Sequence, residues 1–452
     1  MRLREVGNPD DENLVQETLK RAVPFETSLD LKPLVDQLAQ ARVVMLGEAS
    51  HGTHEFYDWR RVLSQELILN HGFRFIAVEG DWPPCWKLND FVHGAGNSHA
   101  RDALRHFRRW PTWMWANTEI IELAEWLRSY NAVALGSERV GFYGLDVYSL
   151  FESIDSTLEQ LHRISPFLAR RMKSRFACFD PFHRDEKNYA KSLLNYPAGC
   201  QEEVAKNLKE ILEHRLAQTT NVNSPKLPFG DALFDAQQNA RIVANAENYY
   251  RTMIHGNEDS WNVRDRHMFE TLGVLLDRYG THSKGIVWAH NTHIGDYRAT
   301  DMALQGQINI GGLVREAMGE KNVALVGFGT FEGEVVASHA WDGPTETLPV
   351  PRGRPGSYEA AFHKASDTLG KNAFYLDLRN KKVREGALSQ TRGHRAIGVV
   401  YQPRVEALGN YVPTSLAYRY DAFLFFDQTT GVDPLKQEFD QAEFPETWPQ
   451  GM

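Results

Sequence analysis

The stretch RVVMLGEASHGTHEFYDWRRVLSQELILNHGFRFIAVEGD, residues 42–81, decides the fold. It opens on an apolar run of strand length, RVVMLGE (42–48), and closes on another, FRFIAVEGD (73–81). Between them apolar residues recur at helical spacing and stop at His71-Gly72, a good C-terminal signal. A strand–helix–strand unit of this length implies a parallel pair, because the crossover returns the chain to the same sheet edge. Where the first strand ends, Glu48, His51, His54 and Glu55 crowd into eight positions. That density raises the question of a metal, a hydrolytic base or an ordinary helix start.

Working outward, RVGFYGLD (139–146) and GIVWAHNTH (285–293) read as a third and a fourth strand. Later candidates are residues 323–331, 373–378, 396–403 and 422–428. From about 150 to 282 the pattern is helical, with long amphipathic stretches such as QEEVAKNLKEILEHRLAQ and FDAQQNARIVANAENYYRTM. TTNVNSPKLPFGD between them reads as a loop, and DGPTETLPVPRGRPGS (342–357) as a surface loop. The expected fold is α/β, with a mostly parallel central sheet flanked by helices. Residues 1–149 and 283–452 supply its two parts, and 150–282 form a helical insertion. No repeat or low-complexity tract is evident.

With 42% hydrophobic and 24% charged residues, the 452-residue chain has the composition of a soluble globular protein. A net charge of −9 argues against a nucleic-acid partner, which needs clustered Lys and Arg. No stretch approaches the ~18 apolar residues of a membrane span. The N-terminus lacks an apolar leader core. Cys85, Cys178 and Cys200 match neither a disulfide framework nor a metal motif. A cytoplasmic location is expected, with a small-molecule substrate as partner and no membrane association. Eleven Trp and 24 Phe leave room for an aromatic-lined cleft.

Three strands end in polar clusters: Glu48–Gly52, Glu79–Asp81 and His290–His293. Ligands bind at the carboxyl ends of strands in open parallel sheets, so these clusters converge if the strands pair. The bland readings are that Glu48 or Ser50 caps a helix and that His51 is a satisfied loop histidine. Glu79 and His290 resist such readings, because a polar group closing a buried strand needs a partner. Neither G-x-S-x-G nor H-E-x-x-H occurs. Two H-x-x-H spacings leave a metal open, but the His/Glu set suits general-base activation of water.

The segments LGEASHGTHEFYDWRRVL, FRFIAVEGDW and WAHNTHIGD together resemble the erythromycin esterase family. RRWPTWMWANTE, GFYGLDVYS and RAIGVVYQP…YDAFLFFD are similar to its other segments, in family order, from about 20 to 428. The resemblance implies an ester hydrolase (EC 3.1.1 type) that opens a macrolide lactone without a metal or cofactor, an antibiotic-resistance activity. It implies His51 as the general base, Glu79 as the essential carboxylate and His290 as the second histidine. Glu48, Arg60, Asp146 and His293 fall at substrate-binding or supporting positions. The family's R-D-x-x-M-A-x-N reads RDRHMFET here, with Phe269 and Thr271 replacing the pattern on a helix expected to face the cleft. Two alternatives stand beside this: a metal-dependent hydrolase using His51, Glu79, His290 and His293 as ligands, and a protein binding a small or haem-like ligand. Of Trp110, Trp113 and Trp115, two are expected in the core and one against ligand.

Overall fold

The protein is described by a computed structural model. It covers residues 11–96, 98–219, 231–255, 257–437, 439, 443–445 and 447, without side chains at 216–219, 255 and 257–259. Most of the loop expected at 219–231 lies outside the described residues.

The strands, in chain order, are β1 (Val23–Pro24), β2 (Val43–Leu46), β3 (Phe73–Val78), β4 (Gly141–Gly144), β5 (Lys284–Trp288), β6 (Val323–Ala337), β7 (Glu346–Val350), β8 (Ala373–Asp377), β9 (Arg392–Arg395), β10 (Tyr411–Thr414) and β11 (Ala422–Thr429). The main sheet runs β1-β8-β11-β6-β2-β5-β3-β4, with β7 paired to β6. From β11 to β4 every neighbouring pair is parallel; β1, β7 and β8 are antiparallel additions. The architecture is α/β, a mostly parallel sheet flanked by helices, as the periodicity implies.

The alternation along each strand explains the two faces. Val44, Leu46, Ile76, Val78, Ile286 and Trp288 enter one core, shared with helices His54–His71, Trp82–Val92 and Thr118–Val133. Val43, Met45, Phe75, Ala77 and Val287 enter the other, under helices Asn257–Tyr279, Ile310–Met318 and Tyr358–Leu369. A strand buried on both faces reads as a continuous apolar run, which is why these strands are legible.

After β4 the chain leaves the sheet, and every regular element described before β5 is a helix, from Leu150–Ile164 to Asn257–Tyr279. Several of these helices share an apolar cluster that includes Leu161, Met172, Tyr189, Ile211 and Val243. Packing there brings Cys178 and Cys200, 22 residues apart, into a disulfide with Cα atoms 5.9 Å apart, while Cys85 is buried elsewhere and outside that disulfide. The reading that the three cysteines match no disulfide framework is therefore corrected for Cys178 and Cys200. Sequence spacing alone does not report which helices dock. Among the described residues no helix is long and apolar enough to cross a membrane.

Two further readings are corrected. Residues 396–403 are not a strand: Ile397 and Val400 make only single bridges, to Ser50 and Ser338. Their apolar pattern comes from burial of Ile397 and Tyr401 against Val335, Ala337 and Leu348. The Pro/Gly-rich loop at 342–357 contains β7, which pairs with the extension of β6 beyond residue 331.

That extension also supports the first polar corner. Gly52 O accepts from Val336 N at 2.9 Å, and a Cβ on Gly52 would sit 1.8 Å from Val336 O. Neither backbone can yield cheaply. Gly52→Ala is expected to cost at least about 3 kcal/mol, the upper end of overpacking. Urea unfolding checks this, and a loss below about 1 kcal/mol would show the close approach to be dispensable.

Candidate active site

β2, β5 and β3 are neighbours in that order, so the corners after them meet at the carboxyl edge of the sheet. Glu48, His51, Arg60, Glu79, Asp146, His290 and His293 are all buried there.

Glu48 joins the first corner to its own helix. Its Oε1 lies 3.0 Å from His51 Nδ1, and its Oε2 accepts from Arg60 Nη2 at 2.7 Å. Arg60 is held in turn over the faces of Tyr57 and Trp288. The helix-capping reading of Glu48 fails, since Thr53 occupies the N-cap of helix His54–His71. A carboxylate paired with Arg60 accepts, so His51 Nδ1 carries the proton and donates. The lone pair of His51 is left on Nε2, which is buried with no hydrogen-bond partner.

His290 has the opposite tautomer. Thr292 N donates to its Nδ1 at 3.3 Å, with Thr292 Oγ1 2.7 Å from the same atom. A backbone N–H only donates, so Nδ1 accepts and the proton sits on Nε2. That Nε2 is also buried without a partner. Burial, followed by the nearby His51, holds the His290 pKa well below the ordinary imidazole value. The two rings stand with centroids 5.0 Å apart, tilted by 38°. One offers a lone pair and the other an N–H.

Glu79 anchors the second corner to the third. Its Oε2 accepts from His290 N at 2.8 Å, and its Oε1 from Arg264 Nη2 at 2.6 Å. Burial alone would raise its pKa, but the charges of His293 and Arg264 outweigh burial and hold the carboxyl well below the usual range. Asp146 takes Arg264 Nε at 3.0 Å and Nη2 at 2.7 Å. His293 Nδ1 lies 2.9 Å from Asp265 Oδ2, its Nε2 lies 2.9 Å from Arg264 Nη1, and Trp261 stacks on its ring at 4.5 Å. Burial disfavours the His293 imidazolium, while Asp265 and Glu79 more than offset this and raise its pKa.

The sequence model of the erythromycin esterase family matches residues 68–429. The chain belongs to the erythromycin esterase family. It is 25% identical over 340 residues to an erythromycin esterase type II from Escherichia coli, covering 70% of this chain and 75% of that one. A Bacillus cereus protein of known structure superposes with a TM-score of 0.78 at 21% identity, over 94% of this chain and all of that one. A mutant of the erythromycin esterase EreC in its open conformation superposes with a TM-score of 0.61 at 16% identity, over 95% of this chain and 98% of that one.

In this member of the erythromycin esterase family, all seven site candidates read from the sequence lie in the connected cluster. Sequence reasoning missed Arg264, Asp265 and Trp261 as parts of it, and placed Asn291 and Thr292 in the polar cluster after β5 without giving either a role. Arg264 and Asp265 had a signal. They continue, one turn earlier, the apolar stripe Met268, Leu272, Leu275 that faces the core, and charges on such a stripe require buried partners. The departures from the family pattern on this helix lie away from that contact. Phe269 packs against the core and Thr271 Oγ1 donates to His267 O. All three candidate tryptophans are core: Trp115 Nε1 donates to Glu79 O, Trp110 Nε1 donates to Gly343 O, and Trp113 is buried in the same cluster. His54 pairs with Glu119 and Glu55 with Thr430, both outside the site.

Among the described residues, the His, Cys, Asp and Glu side chains that bring three potential metal-ligand atoms within 4.8 Å of one another are His363, Asp367 and Asp427. These belong to helix Tyr358–Leu369 and to β11. Glu79 and His293 are instead engaged by Arg264.

Proposed function

We propose that the protein hydrolyses a carboxylic ester, a macrolide-type lactone or a similar cyclic ester, by metal-independent general-base catalysis. The observation that carries this reading is the pair of imidazoles 5.0 Å apart, each with a buried Nε2 that no protein group engages. His51 Nε2 takes a proton from water as the water oxygen attacks the ester carbonyl. His290 Nε2–H donates to the oxyanion that develops there. Glu48, neutralised in part by Arg60, stabilises the imidazolium. That proton then passes to the leaving alkoxide as the ring C–O bond breaks, giving a hydroxy acid. Glu79 fixes His290 through its backbone N–H, and His293 and Arg264, the latter held by Asp146, keep Glu79 ionised. The engagement of Glu79 and His293 by Arg264 supports a role for them as positioning groups rather than metal ligands.

The macrolide assignment draws on the relatives named erythromycin esterase. A mass-spectrometric screen for gain of one water across macrolides and simpler lactones tests it. Turnover should persist in a protein exhaustively chelated and verified metal-free. Activity lost on chelation and restored by a divalent ion would replace the mechanism with a metal-bound hydroxide.

A further inference from the structure

Asn291, beside His290 in the corner after β5, is fully buried and bonds both to β6 and to the corner after β2. Pairing of β2 with β6 ends at Leu46–Val326, and Gly47 N still donates to Val326 O before the chain turns away. The next groups on β6 along that edge, Phe328 N and O, would be left without a strand partner. The Asn291 carboxamide takes the place of that strand: Nδ2 donates to Phe328 O at 2.7 Å and Oδ1 accepts from Phe328 N at 3.3 Å. Its backbone N donates to Glu48 O at 2.8 Å, and its backbone O accepts from Arg419 Nη2 at 3.0 Å. The residue between two catalytic corners is thus bolted to β6.

The orientation of the amide is set from behind. His394 Nε2 lies 3.4 Å from Asn291 Nδ2, and His394 Nδ1 lies 2.8 Å from Glu359 Oε1. Burial holds the His394 pKa below its ordinary value despite Glu359, so Nε2 is available as an acceptor. Gly47 completes the fit, since a Cβ there would stand 2.1 Å from Asn291 Oδ1.

We propose that Asn291, aligned by His394 and Glu359, is a positioning residue that sets the spacing of the His51–His290 pair. The proposal rests on the general-base reading above. In Asn291→Ala the corner loses its anchor on β6, and a shift of ~1 Å at reacting groups is worth about 10²-fold in rate. The expected result is a kcat lower by about 100-fold with KM changed less than about threefold, since only the reacting geometry moves. A second readout does not depend on turnover. The Nδ1–H of His51, assigned by its loss in His51→Ala, should appear in NMR of histidine-labelled wild type as a protected proton, and should shift or broaden in Asn291→Ala. If Asn291→Ala does not fold, His394→Phe carries the test, because its ring retains the contacts with Tyr420 and Phe423. Loss of the one hydrogen bond to Asn291 should lower kcat about 2- to 12-fold and move the same proton. A folded variant with wild-type kcat and an unmoved His51 proton overturns the proposal. If wild type opens no ester at all, the general-base reading falls, while the NMR signal still decides whether Asn291 positions His51.

Discussion

His51→Ala is expected to lower ester hydrolysis by about 10²–10⁴, the usual contribution of a general base, while leaving the fold intact. The side chain is buried, but its one hydrogen-bonded atom is Nδ1, and Glu48 keeps Arg60 as its partner after the change. The chemical argument is one of elimination among neighbours. His290 places a proton, not a lone pair, on its free nitrogen. Glu79 and Glu48 have their oxygens committed to Arg264, the His290 backbone, His51 and Arg60. Among these groups, the Nε2 of His51 is the buried acceptor able to receive a proton from water. His290→Ala should also be slow, for a different reason: it removes a donor to the oxyanion, worth about 10²–10³ in kcat. His290 stays neutral well below the ordinary imidazole range, so its loss should leave the pH dependence of kcat/KM in place. A folded His51→Ala enzyme with near-normal turnover would assign the base elsewhere.

How much of this was readable beforehand follows from where each signal resides. β2, β3 and β5 are buried on both faces, so their apolar runs mark them, and polar residues at their ends stand out by contrast. His51, Glu79 and His290 were accessible for that reason. The hydrogen bonds that give the two histidines opposite tautomers were not, because they depend on Thr292 N and on the Glu48 rotamer rather than on residue type. Asn291 looks like a loop residue until β6 is placed beside it. The run at 396–403 shows the converse: burial without strand pairing leaves the same apolar pattern. The Cys178–Cys200 link depends on docking between helices, which local periodicity does not encode.

The second large effect concerns stability. Arg264→Met is expected to destabilise the protein by about 3–5 kcal/mol, the cost of stripping a buried ion pair of one partner. Arg264 is almost wholly buried and serves Glu79, Asp146 and His293 together. Replacing it leaves two buried carboxylates facing one another across the carboxyl edge of the sheet. In wild type, Glu79 titrates well below its unfolded value, so its contribution is present above about pH 4.3 and disappears as pH falls through the folded pKa. Without Arg264 one of the charges that outweigh burial is gone while His293 stays, so the folded pKa of Glu79 moves up toward its unfolded value and that contribution shrinks. Urea titrations between pH 7 and the acid range check this: the loss of stability on acidification that Glu79 carries should be smaller in Arg264→Met than in wild type. A variant less than about 1 kcal/mol below wild type, with an unaltered pH profile, would mean that the guanidinium contributes little and that the carboxylates find other partners.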